Sequence, residues 1–125
     1  MPSAGRILVV DDDDTIRELI SIALGDEGYE VMTAIHGREA LERTVSWSPD
    51  VILLDMRMPV MDGWEFTRAY RQGQGPHAPI VVLTAGRDAN CSALQLDADA
   101  ALAKPFELSS LLDLVSRLAC VPLQS

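Results

Sequence analysis

Short aliphatic runs that stop abruptly at carboxylate, hydroxyl or ammonium side chains govern how this chain can fold. Residues 7–10 run into Asp11 and Asp12, 51–54 into Asp55, and 80–83 into Thr84, while a further apolar run ends at Lys104. Buried parallel strands read as continuous aliphatic runs because both faces of their sheet are covered. Open α/β sheets carry their ligand chemistry at the carboxyl ends of those strands. Runs ending in this way predict one acidic pocket at a single sheet edge. Of the ten basic residues, Lys104 is the only lysine and the rest are arginines. A compact, flexible ammonium has thus been kept at a strand end, where guanidinium is no substitute.

Stretches with helical period separate the runs. Ile16, Leu19, Ile20 and Ala23 form one expected face, ended by Gly25 and Gly28; Ala40, Leu41, Thr44 and Val45 form a second, ended before Pro49. Residues 29–34 form the strand between them. Pro59 and the Asp62-Gly63 pair mark a turn, after which Phe66, Ala69 and Tyr70 supply a third face. Leu108, Leu111, Leu112, Val115 and Leu118 make the clearest stripe, on the last helix. Residues 87–96 read most weakly as a helix, since Asn90, Cys91 and Ser92 are poor formers. The order is strand then helix, five times over. Right-handed crossovers then demand a parallel sheet covered on both faces. For five strands the flavodoxin-like, doubly wound order 2-1-3-4-5 leads, with strands 1 and 3 as neighbours. Asp11, Asp12 and Asp55 meet in that order, and Thr84 and Lys104 line the same rim.

The 125 residues fit one domain over 1–125, with a core of about 5–119 and a short tail at 120–125, and this length buries a core without disulfides. Cys91 and Cys120 lack metal or redox spacing and read as reduced thiols of a cytoplasmic protein. No apolar stretch reaches the length of a membrane span, and residues 1–5 carry no signal-peptide pattern. Nineteen acidic against ten basic residues give a formal charge of −9, which argues against direct nucleic acid binding. Within the run of four aspartates, Asp13 and Asp14 fit a solvated loop or the acidic first turn of a helix. Asp11 and Asp12 differ, because they directly end a strand, where adjacent carboxylates need a cation beside them.

Four segments in order carry a family likeness: Val9-Val10-Asp11-Asp12; the stretch from Leu53-Leu54-Asp55 through Met56-Arg57-Met58-Pro59 to Asp62-Gly63; Leu83-Thr84-Ala85-Gly86; and Ala103-Lys104-Pro105-Phe106. In these the chain resembles the receiver domain of bacterial two-component response regulators over essentially its whole length. The resemblance implies a phosphoacceptor module, not an enzyme acting on a separate substrate. Asp55 would take a phosphoryl group from the phosphohistidine of a sensor histidine kinase or a histidine phosphotransfer protein. Asp12 and Asp55 would hold a magnesium ion, with manganese a plausible substitute, Asp11 would act through a water, and the main-chain carbonyl of Arg57 would complete the set. Thr84 and Lys104 would contact the phosphoryl oxygens, and the Lys104-Pro105 peptide would be cis. Docking would use the first helix and the loop leading from Pro105. The residue types suit this chemistry, since in-line phosphoryl transfer asks mainly for positioning and charge neutralisation, and a carboxylate is a competent nucleophile.

One position departs from the family pattern. An aromatic residue usually stands three positions before the lysine, and here it is Ala101. The usual aromatic readout of the phosphorylated state is therefore put in question. Two rival readings exist. The spacing Asp11-x-Asp13-x-Thr15 also resembles the nucleophile motif of haloacid-dehalogenase phosphatases, with Asp11 as nucleophile, although no acidic pair follows Lys104. A receiver-like module that only binds partners is the other. Trp47, Trp64, Tyr29 and Tyr70 read as core or half-buried fillers, and His36 and His77 are given no role. The cognate kinase and any homodimer are left open.

Overall fold

The computed structural model describes residues 5–55, 63–73, 77–85, 100–104 and 106–120, except for the side chains of Thr84, Ala85, Ala103, Lys104 and Cys120. Among the described residues, five strands and four helices follow one another as β1 (Arg6–Val10), α1 (Asp14–Asp26), β2 (Glu30–Ala34), α2 (Gly37–Ser46), β3 (Val51–Asp55), α3 (Gly63–Gln72), β4 (Ile80–Ala85), β5 (Ala100–Lys104) and α4 (Leu108–Cys120). The expected helix at 87–96 and the turn at Pro59 lie outside the described residues. All pairings are parallel, and the sheet order is β2-β1-β3-β4-β5. This is the flavodoxin-like arrangement that the aliphatic runs predict.

Alternate side chains of each strand enter opposite cores, as the two-residue period of a strand requires. Leu8, Val10, Ile52, Leu54, Ile80 and Val82 pack under α2 and α3 with Ala40 and Phe66. Ile7, Val9, Val51, Leu53, Val81 and Leu83 pack under α1 and α4 with Ile20, Leu24, Leu111 and Val115. All five residues of β3 are buried, which is why that segment carries no polar residue until Asp55. Trp47, Trp64, Tyr29 and Tyr70 sit half-buried at the margins of these cores. Ala101 is a partly buried neighbour of the α2–α3 core.

Two helix faces are rotated from their expected positions. On α1 Ile20 and Leu24 are buried and Ile16 and Ala23 half-buried, leaving Leu19 50% exposed and Ile22 58% exposed. On α2 Gly37 and Ala40 are buried and Leu41 and Thr44 half-buried, and Val45 is 87% exposed. Leu19 lies one residue beside buried Ile20, and Val45 one residue beside half-buried Thr44. A step of that size turns about 100° around a helix of 3.6 residues per turn, enough to leave the core.

Local chemistry ends the helices where the structure needs them. The Asp13 carboxylate accepts from the N–H groups of Thr15 and Ile16 at 2.9 and 3.1 Å, capping α1. Past its other end, Tyr29 N–H donates to Leu24 and Gly28 N–H to Gly25, with Gly28 at φ 95°. This is a Schellman closure, which favours glycine at the left-handed position. His36 caps α2, its Nδ1 accepting from Glu39 N–H at 3.1 Å while Glu39 accepts from Ile35 N–H at 2.8 Å. His36 thus has the structural role that its sequence context did not reveal.

Candidate phosphoacceptor site

Strand register builds the site. Val10 pairs with Leu54, so Asp11 and Asp55 are each the next residue along adjacent parallel strands. Asp55 pairs with Leu83, which puts Thr84 one residue further along β4. Thr84 pairs with Ala103, and Ala85 with Lys104. The five expected residues therefore share one edge of the sheet, at its carboxyl end. Parallel strands lie about 4.8 Å apart, so the main chain of Lys104 is two strands, roughly 10 Å, across the sheet from that of Asp55 and two residues further along the strand direction. The side chains of Thr84 and Lys104, and the whole of Arg57 and Pro105, lie outside the described residues.

Asp11 is fully buried, Asp55 is 7% exposed and Asp12 is exposed. One carboxylate oxygen from each falls within 4.8 Å of the others. Asp11 is held at several atoms. Its N–H donates to the Ala34 carbonyl at 3.1 Å, its carbonyl accepts from Arg17 Nη1 at 2.8 Å, and its Oδ1 accepts from Asp13 N–H at 2.9 Å. The last contact joins the acidic site to the capped start of α1, whose aligned N–H groups favour negative charge nearby. Asp13 and Asp14 stand apart from the cluster: Asp13 caps α1, and Asp14 pairs with Arg17. The bland reading holds for both.

The donor set fits a small hard cation. Six oxygens around magnesium, at about 2.0–2.1 Å, stand roughly 3 to 4 Å from one another, so a group within the observed spacing needs little closure. All three donors are carboxylates, the ligand type that magnesium and manganese prefer over softer metals. Two of them are buried side by side, an arrangement that a divalent charge stabilises.

The family model described as the response regulator receiver domain matches residues 7–116. The chain belongs to this family. The receiver domain is 46% identical over 110 residues to the response regulator MprA of Mycolicibacterium vanbaalenii, covering 86% of this chain and 47% of that protein. It is 36% identical over 119 residues to the regulatory protein AtoC of Escherichia coli, covering 94% of this chain and 26% of AtoC. Among solved structures, the chemotaxis response regulator CheY4 of Vibrio cholerae superposes with a TM-score of 0.82 at 40% identity, over 91% of this chain and 98% of that one. This chain thus spans about half the length of MprA and a quarter of AtoC. A receiver is a signalling module of two-component systems, and membership in this family does not favour the phosphatase or binding-only readings. Among the described residues, no helix is long and apolar enough to cross a membrane.

Proposed function

We propose that this receiver accepts a phosphoryl group on Asp55 from the phosphohistidine of a sensor histidine kinase or a histidine phosphotransfer protein. The observation that carries the reading is Asp55 itself: a nearly buried carboxylate at the end of the central strand, with oxygens of Asp11 and Asp12 beside it. A carboxylate oxygen of Asp55 attacks phosphorus in line, the phosphorus–nitrogen bond breaks, and the imidazole departs with its electron pair. The product is an acyl phosphate.

Asp11, Asp12, Asp55 and the main-chain carbonyl of Arg57 would hold magnesium or manganese. When bound, such an ion neutralises charge on the phosphoryl oxygens. Asp11 orients the site through its bonds to Asp13 and Ala34. Thr84 and Lys104, at the ends of β4 and β5, donate to phosphoryl oxygens, and the lysine acts as a mobile point charge. The switch proceeds without an aromatic at position 101. Partner docking on α1 is supported by Leu19 and Ile22, whose exposure leaves apolar area facing outward on that helix. A single receiver over 1–125 and a cytoplasmic setting, where such kinases present their phosphohistidine, complete the proposal.

The test is transfer from a phosphorylated histidine phosphotransfer protein to this chain, with magnesium and with EDTA. Transfer in magnesium that EDTA stops is expected. Transfer that persists in chelator contradicts the metal assignment, and transfer that persists in Asp55→Asn contradicts the acceptor.

A further inference from the structure

Arg17 lies outside the carboxylate cluster, yet its guanidinium reaches back into it. Nη1 donates to the main-chain carbonyl of Asp11 at 2.8 Å, and Nη2 pairs with the Asp14 carboxylate. The Arg17 side chain is only 17% exposed, whereas that of Asp14 is 89% exposed. The bond to the carbonyl is therefore the more protected of the two, and an exposed ion pair such as the second contributes little. That carbonyl belongs to the peptide joining Asp11 to Asp12. Its orientation sets the direction in which the Asp12 side chain leaves the backbone relative to that of Asp11. Without Arg17, Asp11 keeps the Ala34 contact on its N–H and the Asp13 contact on its carboxylate. The plane leading to Asp12 loses this guanidinium contact.

We infer that Arg17 is a positioning residue: it fixes the peptide plane between Asp11 and Asp12, and so the relative placement of two of the three carboxylates that hold the divalent ion. The inference rests on the reading that the cluster binds such an ion. Charge and geometry give opposite signs here, which makes the idea decidable. As a positive charge near the cluster, Arg17 opposes binding of a cation, so a purely electrostatic role means tighter binding when it is removed. As a brace, it makes binding weaker when removed. Contacts of this indirect kind typically change metal affinity by about 10- to 100-fold.

The experiment is a calorimetric titration of the full chain with manganese, repeated with magnesium, alongside urea unfolding in EDTA. Arg17→Met keeps an apolar stem and removes both donors and charge. It also borders an open polar groove of about 260 Å³, formed with Asp14, Glu18, Ser21 and Thr33, so a new side chain has space. The dissociation constant in Arg17→Met should rise by about 10-fold, the lower end of that range. Arg17→Lys should fall between Arg17→Met and wild type, because an ammonium can reach the carbonyl but cannot fork to both acceptors. Phosphorylation of Arg17→Met by acetyl phosphate should need more magnesium for half its maximal rate and recover at saturation. Val115→Ala, in the core beneath α4, should lose stability while keeping its metal affinity, separating a brace from general loosening.

Equal or tighter binding by Arg17→Met overturns the inference while leaving the phosphoacceptor reading intact. Should that variant not fold, Arg17→Lys binding as tightly as wild type overturns it instead. Failure of the wild-type chain to bind either ion overturns the metal reading and this inference together.

Discussion

Two glycines three residues apart, Gly25 and Gly28, should respond to the same substitution with opposite signs. Gly25 lies inside α1, and a Cβ built there meets nothing within 4 Å. Replacing an interior helical glycine with alanine gains about 0.8–1 kcal/mol of propensity. Gly25 stands one residue before the last of α1, where restraint is weaker, so roughly 0.5–1 kcal/mol is the expected gain. Gly28 has φ 95° and its N–H closes the Schellman motif onto Gly25. An alanine there carries a left-handed penalty of about 1–2 kcal/mol. At about 4 °C per kcal/mol for a domain of this size, Gly25→Ala should melt about 2–4 °C higher and Gly28→Ala about 4–8 °C lower. Thermal melts followed by circular dichroism measure both shifts, and in urea unfolding the slope should not change. Both positions are at the end of α1 away from Asp11, so phosphorylation of Gly25→Ala should match wild type. A destabilised Gly25→Ala, or a Gly28→Ala variant as stable as wild type, would refute the closure and the clearance on which these signs depend.

Other outcomes follow from single contacts. His36→Ala should lose about 1 kcal/mol by removing the α2 cap, and His36→Asn should recover most of it; equal stability of His36→Ala and wild type in urea would remove the capping role. Thr67 is buried and its hydroxyl has no hydrogen-bond partner among the described residues. Thr67→Val should therefore be neutral or more stable by about 1 kcal/mol, and a large loss in the same assay would reveal a bond the hydroxyl makes. Lys104→Ala should keep its fold by circular dichroism but show a smaller phosphorylation-dependent change in hydrogen exchange, and an undiminished change removes its proposed contact.

Strands β1, β3 and β4 were legible because their aliphatic residues are buried on both faces of the sheet and so form unbroken runs, whereas the edge strand β2 carries Glu30 and Thr33 and is only partly buried. That same continuity marked the strand ends, and with them Asp11, Asp12 and Asp55. Helix faces were harder to read. Leu19 and Val45 extend apolar stripes that look complete in one dimension, but each is a residue's turn away from the buried row, and only packing against the sheet selects the row. The capping by His36 was hidden because histidine is an uncommon acceptor at a helix start, though Glu39 three positions later is half of a capping box. The i,i+3 spacing of Asp14 and Arg17 fits the ion pair they make, but nothing in the sequence points to the guanidinium's bond to the Asp11 carbonyl, because a contact to backbone leaves no complementary side chain to find in a pattern.

Acetyl phosphate, magnesium and peptide mapping by mass spectrometry address the site itself. The phosphoryl group should be found on the peptide containing Asp55, only when magnesium is present, and should vanish in Asp55→Asn while remaining detectable in Asp11→Asn. A phosphoryl group on Asp11, or on Asp55 without any divalent ion, would contradict the account.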